Sequence, residues 1–388
     1  MGIFIDQFKS MSESSPLDQY PNLKIAQIRE RYSYQRQPED LDKLLEEIRE
    51  NQMGPFYEQL CDNFQLSRDQ SLIEQYEKAN RESHEQLQKA LEDAQTLQSE
   101  EDVRVAYQNL VLFFLKIGDW DEAKNYLKSL YSKTVALGQK IDVVFCQMRL
   151  AFWINDHSIF TELLDRAHAL IKEGGDWERK NRLKVYEGLY LCTQRNFIAA
   201  SALFTSTLST FSATELLSYE DFVYRVVLLA VLSLSRADFG TKIDHAMEVR
   251  ASDDSVQELL SLYHLNYAQF FDALAAAQER LSSDIWFAQH LCYLIKELRV
   301  RAYSQFLEPY EALQISAMAQ AFQVTPEFIE AEMRRFIFGR KLNAKIDRVS
   351  GTIHTNPPDS RTDKMREALR KGEVLVTRLQ KLGRLLSA

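Results

Sequence analysis

Apolar residues recur at three- and four-residue spacing through most of the chain, the signature of amphipathic helices. Pro38 at a first-turn position, followed by Glu39, Asp40 and Asp42, suits the positive end of a helix dipole, and Leu41, Leu44, Leu45 and Ile48 form one apolar face. Gly54 and Pro55 stop that helix. Ser67 with Gln70 reads as a capping box before a long charged helix reaching about Gln98. Its narrow stripe, Leu72, Tyr76, Ala79, Leu87, Ala90, Ala94 and Leu97, suggests exposure or a partner helix. Before residue 38 there is little periodicity, and Pro16 and Pro21 interrupt the chain, so an extended arm is expected. No proline lies between Pro55 and Pro309, an interval that helices fill more readily than turn-rich β-structure.

From about residue 102 the pattern repeats. Val105 to Leu130 resembles a tetratricopeptide unit: Tyr107, Leu110 and Phe114 line a first helix, Gly118 and Asp119 turn the chain, and Trp120, Ala123 and Leu127 face back from a second. Weaker copies follow with Phe160, Leu163 and Ala167, then with Phe197, Ala200 and Phe204. Such pairs bury their faces only by stacking, which predicts a right-handed helical solenoid with a long surface for partners. Unrelated antiparallel helices are the alternative. The pairs around Tyr219 to Val249 and Val256 to Leu281 have drifted from the pattern.

After Pro309 the pattern changes. Tyr310 to Phe322 reads as a helix, and Thr325 caps a second one, with Pro326 first and Phe328, Ile329, Met333, Phe336 and Ile337 apolar. Leu342, Ala344 and Ile346 alternate as a strand, Ser350 and Gly351 turn, and Thr352 to Thr355 returns, which makes a winged helix. Asn356 to Asp359 break the chain before a last helix of about 27 residues, or about 40 Å. There Met365, Ala368, Gly372, Leu375, Leu379, Leu382 and Leu386 keep a heptad spacing. The fold class is therefore mainly α: a TPR-like solenoid, a winged-helix domain with a small β-wing, and a long C-terminal helix. Expected divisions are an N-terminal arm (1–37), acidic helices (38–100), the solenoid (101–285), the winged-helix module (286–358) and the terminal helix (359–388).

The 388 residues exceed one hydrophobic core, and 45% apolar with 27% charged residues excludes wholesale disorder. The net charge of -9 is uneven: residues 1–100 hold 11 Lys/Arg against 20 Asp/Glu, whereas residues 301–388 hold 15 against 10. An acidic total works against non-specific attraction to phosphate backbones and anionic lipid. Cys61, Cys146, Cys192 and Cys292 lie far apart, with no metal or disulfide spacing. Neither a signal peptide nor a myristoylation pattern is read at the N-terminus, since Asp6 stands where Ser or Thr is needed. No apolar stretch is long enough for a bilayer. A reducing cytoplasmic or nuclear location is expected.

Catalytic constellations are absent from the sequence. No G-x-x-x-x-G-K-[ST] cradles phosphates, no G-x-G-x-x-G opens a βα turn, and no G-x-S-x-G, H-E-x-x-H or H-x-H is present. The seven histidines, His157, His168 and His290 among them, read as structural. No catalytic, cofactor-binding or metal residue is assigned, and no enzyme activity or cofactor is expected. A winged helix that reads DNA is the rival interpretation. Against it, Glu327, Glu330 and Glu332 occupy the first half of the second helix, where phosphate would repel them, and Arg334, Arg335, Arg340, Lys341 and Lys345 do not align as a stripe.

A solenoid running into a winged helix and a terminal helix resembles the PCI family, named for the proteasome lid, the COP9 signalosome and initiation factor three. Tyr131 to Phe145, Glu173 to Tyr190 with its Gly-Gly-Asp-Trp, Arg301 to Tyr310 and Lys345 to Val349 are similar to the lid scaffold members of that family. The resemblance implies a non-catalytic subunit of the 19S lid, supporting ATP-dependent degradation of ubiquitinated proteins. The signalosome's first subunit is the alternative. It also implies winged helices paired side by side and C-terminal helices gathered in one bundle. Carried onto this chain, Lys341 to Arg348 and Thr352 to His354 supply the sheet and rim between neighbours. Leu342, Ala344 and Ile346 face their own core, which leaves Lys341, Asn343, Lys345, Asp347, Arg348, Thr352 and His354 at the contact. Leu375, Leu379, Leu382 and Leu386 enter the bundle; docking on their own domain is the alternative. Implied partners are other PCI subunits, the lid's metalloprotease-fold heterodimer through the bundle, and further the ATPase ring or core particle, with no membrane and no specific nucleic acid.

Overall fold

The computed structural model describes residues 16–66, 68–97, 99–355 and 360–386, the side chains of 360–363 and 385–386 excepted. The chain divides into two compact units, Met1–Tyr263 with Ala273–Cys292, and His264–Asp272 with Tyr293–Ala388. The division expected after residue 285 thus falls later, and residues 264–272 join the second unit. The reason is aromatic: Tyr267 and Phe271, at the start of helix Tyr267–Leu281, pack on Phe306, Tyr303 and Phe322 at ring separations of 4.9–5.8 Å.

In the first unit, helix Gln70–Thr96 packs on helix Glu100–Ile117. Ser67 lies outside the described residues; Asp69 caps the long helix by accepting the Ser71 N–H at 3.2 Å. Repeating helix pairs follow: Glu100–Ile117 with Trp120–Lys133, Leu137–Ile154 with His157–Gly174, and Trp177–Thr193 with Phe197–Thr207. Each second helix opens on a side-chain cap: Asp119 accepts from Glu122 N–H, Asp156 from Ser158 and Ile159 N–H, and Asn196 from Ala199 N–H. The apolar residues singled out by the repeat are buried, with Trp120, Phe160 and Phe197 each in the first turn of a second helix, except Tyr107, which is half-buried. Gly118 takes φ 83°, and a Cβ there would stand 2.7 Å from Phe56 Cβ, so both conformation and close approach demand glycine. Beyond Thr207 the pattern loosens into helix Tyr219–Ser233 and short helical turns before helix Asp254–Leu260.

Over its described residues, from Pro16 on, the expected N-terminal arm is not extended. Pro16–Gln19 forms a 3-10 turn and Leu23–Gln35 an α-helix capped by the Asn22 side chain, with Leu17, Leu23, Ile25 and Ala26 buried. Its apolar residues follow no period of their own because their burial is set by contact with the repeat helices.

In the second unit, β1 (Ala312–Gln314) precedes helices Ile315–Phe322 and Pro326–Phe338, then β2 (Ala344–Asp347) and β3 (Thr352–Thr355). The sheet is antiparallel in the order β1-β3-β2, with Leu313 opposite Ile353 and Ile346 opposite Ile353 on the other side. The sequence predicts helix from Tyr310; instead 312–314 is a third strand, framed by Thr355 N–H to Glu311 O and Ile315 N–H to Gly351 O, both 2.9 Å. Glu332 is not on the outer face of its helix. It is buried, accepting from Arg299 Nη1 and Tyr303 OH at 2.9 Å each. Helix Ser360–Leu386 closes the chain. Among the described residues no helix is long and apolar enough to cross a membrane.

Candidate assembly surfaces on the wing and the C-terminal helix

Strand period two turns β2 into a two-sided element. Leu342 and Ala344 are buried and Ile346 half-buried, while Asn343, Lys345 and Asp347 are exposed, as the alternation requires. In the sheet order β2 has β3 on one side only, so among the described residues its outer edge pairs with no strand. An edge of this kind is a template for strand addition. Lys345 stands opposite His354 in the register, so the two side chains share one face of the wing.

The seven wing residues divide by what holds them. Asp347 accepts the Val349 N–H at 2.9 Å and the Ser350 hydroxyl at 2.7 Å, and these bonds, the hydroxyl's first, hold its carboxyl below the usual carboxylate range. It therefore builds the turn that Gly351 closes at φ 65°. Thr352 Oγ1 lies 2.7 Å from Ser350 Oγ and 3.2 Å from His354 Nε2, continuing that network. Lys341 pairs with Glu297 and sits 5.1 Å from the Tyr293 ring centroid. Arg348 pairs with Glu330 at 2.9 Å while staying largely exposed. Asn343, Lys345 and His354 present the outward surface. Sequence reasoning missed Val349, 99% exposed at the tip of the turn, and Phe338, 92% exposed at the end of the second helix. A large apolar residue beside turn formers (Ser350-Gly351, Gly339-Arg340) was the available signal.

On the C-terminal helix, Leu375, Leu379 and Leu382 are 60%, 57% and 54% exposed among the described residues. The Leu386 side chain lies outside the described residues. Leu369 and Val376 are also exposed. At 100° per residue these positions with Met365, Ala368, Gly372 and Gly383 span a stripe about 140° wide, broader than a two-helix seam and suited to contact with more than one helix. Val374 falls on the opposite side.

Three of the cysteines are buried, and burial pushes the Cys146 and Cys192 thiols up, away from reactive thiolate. Among the described residues no cluster of His, Cys, Asp and Glu is placed to hold a metal. What the wing and the terminal helix offer is surface: a strand edge and an apolar stripe.

Comparison with known proteins matches two stretches of the chain, the second of which includes the wing. The family described as 26S proteasome subunit RPN7 matches residues 69–242, and the PCI domain matches residues 267–357. The chain is 39% identical over 348 residues to the 26S proteasome non-ATPase regulatory subunit 6 homolog of Arabidopsis thaliana, covering 89% of this chain and 90% of the relative. It is 38% identical to the 26S proteasome regulatory subunit rpn7 of Schizosaccharomyces pombe, covering 88% and 89%. Against the COP9 signalosome complex subunit 1 of the same yeast, identity falls to 24% and coverage to 70% and 65%.

Proposed function

We propose, from the premise that this chain belongs to the family of the 26S proteasome non-ATPase regulatory subunit 6 and carries a PCI domain, that it is a structural subunit of the proteasome's regulatory lid. It holds the lid together so that other subunits bind, deubiquitinate and unfold ubiquitinated substrates, and it performs no chemistry itself. The β2 edge, with Asn343, Lys345 and His354, meets a neighbouring PCI subunit by strand addition. The C-terminal helix enters a bundle with the corresponding helices of other subunits, the metalloprotease-fold heterodimer included. The protein works in the cytoplasm and nucleus. The signalosome alternative is the weaker reading, because identity to the signalosome subunit of the yeast named above is well below that to its proteasome counterpart.

The observation that carries this reading is the apolar stripe on helix Ser360–Leu386, exposed among the described residues in a member of that family. Exposed apolar area of this extent, rimmed by charge, marks a protein contact. Deleting residues 361–388 tests it. The truncated chain should keep its helical content and its urea midpoint but fail to enter the lid when co-expressed with the other lid subunits. Normal co-purification of the truncated chain with the lid refutes the bundle.

A further inference from the structure

The segment that the sequence suggests is an arm is held by two arginines that the repeats themselves position. Arg149, on helix Leu137–Ile154, is fully buried and donates from Nη2 to the carbonyls of Leu17 at 2.5 Å and Tyr20 at 3.4 Å, and from Nη1 to the Asp18 carboxylate at 3.4 Å. The Cys146 thiol adds a contact to the Tyr20 carbonyl at 3.6 Å. Arg182, on helix Trp177–Thr193, donates from Nη2 to Asp18 Oδ1 at 2.7 Å. Leu17 and Pro21 are buried on either side of these polar contacts.

Arg182 is oriented without help from the segment. Its Nε and Nη2 reach Glu215 Oε1 at 3.0 and 2.8 Å, Tyr186 OH donates to the same oxygen at 3.0 Å, and the guanidinium lies 5.2 Å from the Phe145 ring centroid. A preorganised donor set that takes backbone carbonyls and one carboxylate is the chemistry of peptide capture.

We propose that the face shared by helices Leu137–Ile154 and Trp177–Thr193 is a binding site for short acidic peptides, and that the chain fills it with its own Leu17–Pro21. The carbonyls of Leu17 and Tyr20 supply part of the affinity, and a carboxylate placed between the buried Leu17 and Pro21 supplies selectivity. Charge balance sets the ligand class: emptied of Asp18, the site leaves two buried guanidiniums facing one carboxylate, Glu215, and only an anionic segment restores neutrality. The fit to the cis segment is incomplete, since Arg149 Nε is buried with no acceptor among the described residues. Among the described residues a cleft of about 370 Å³ borders Pro16 and Leu17, with Arg104, Gln108, Gln139 and Asp142 on its wall. A longer acidic segment with one more acceptor therefore competes with the resident one.

The test uses the full chain with a protease site placed at the exposed Arg36–Gln37 connection, nicked after folding. A fluorescein-labelled peptide of residues 16–23, whose one charged side chain is Asp18, is titrated into the nicked chain and followed by anisotropy. The labelled peptide is expected to exchange into the site, to bind at least tenfold more weakly when it carries Asp18→Lys, and to be displaced by its unlabelled copy. A scrambled peptide of equal charge is expected not to displace it. Because the changes are in the peptide, the chain's own folding is untouched. Absence of exchange, equal binding of the Asp18→Lys peptide, or equal displacement by the scrambled peptide each overturns the proposal.

Discussion

Replacing Leu375, Leu379 and Leu382 together by alanine separates assembly from folding. Full burial of a leucine side chain is worth about 1.5–3 kcal/mol. With somewhat more than half of each still open to solvent, a partner helix gains about 1–1.5 kcal/mol per residue, or about 3–5 kcal/mol for the three. At 1.4 kcal/mol per decade that is a loss of roughly a hundred- to a thousandfold or more in affinity for the bundle. The isolated chain has no such stake in these side chains. Alanine is the better helix former and the sites are exposed, so stability should move by no more than about 0.5 kcal/mol. Urea denaturation of the isolated chain measures the second quantity, and equilibrium capture by a co-expressed lid lacking this subunit measures the first. Val374→Ala, on the opposite face at 47% exposure, serves as control and should change neither. A loss of more than 1 kcal/mol in the isolated triple variant would mean the leucines dock on their own domain. Capture at wild-type affinity would refute the bundle itself.

Two further outcomes follow from close contacts and charge. Gly188→Ala in helix Trp177–Thr193 places a Cβ 2.3 Å from the buried Phe204 ring; overpacking costs about 1–3 kcal/mol against a helix-propensity gain of at most about 1, so chemical denaturation should show net destabilisation, and a more stable variant contradicts the packing. The Asp347 carboxyl is held low by Ser350 and Val349, so its support of the wing turn is complete above the ordinary carboxylate range and fades as pH falls through the lower folded-state value. The protection factor of the Val349 amide, its exchange relative to the free-peptide rate at each pH, should therefore be high at neutral pH and fall below about pH 4, with Asp347→Ala low throughout; a variant matching the wild type at neutral pH removes Asp347 from the turn.

What the sequence made legible is what local periodicity decides. Trp120, Phe160 and Phe197 each lie in the first turn of a capped helix whose burial repeats every three or four residues, so both the elements and their inward faces follow from spacing alone. The alternation of Leu342, Ala344 and Ile346 likewise gave the outward positions of the wing. Residues 16–35 escaped because their partners are remote: Asp18 meets Arg149 and Arg182, more than 130 positions away, and no local pattern announces a pairing at that separation. β1 escaped for a related reason, since three residues carry no period and the strand exists through Glu311 with Thr355 and Ile315 with Gly351.

The same distinction divides the candidate surfaces. The sequence set Glu332 with Glu327 and Glu330 in the first half of the second helix, yet Arg299 and Tyr303 draw it inward, so the argument from phosphate repulsion loses one of its three charges. The resemblance put Lys341 and Asp347 at the contact; within the chain Lys341 also pairs with Glu297 and Asp347 also bonds the wing turn. For the terminal leucines the pattern allowed either a bundle or the chain's own domain; among the described residues all three leucines are more than half exposed, which favours the bundle, and the triple alanine variant decides between the two. Charged residues are thus legible in kind but not in partner, because an ion pair constrains distance in space and leaves no period behind. Apolar stripes are legible in position, and what covers them is decided only by whether the remaining chain already does.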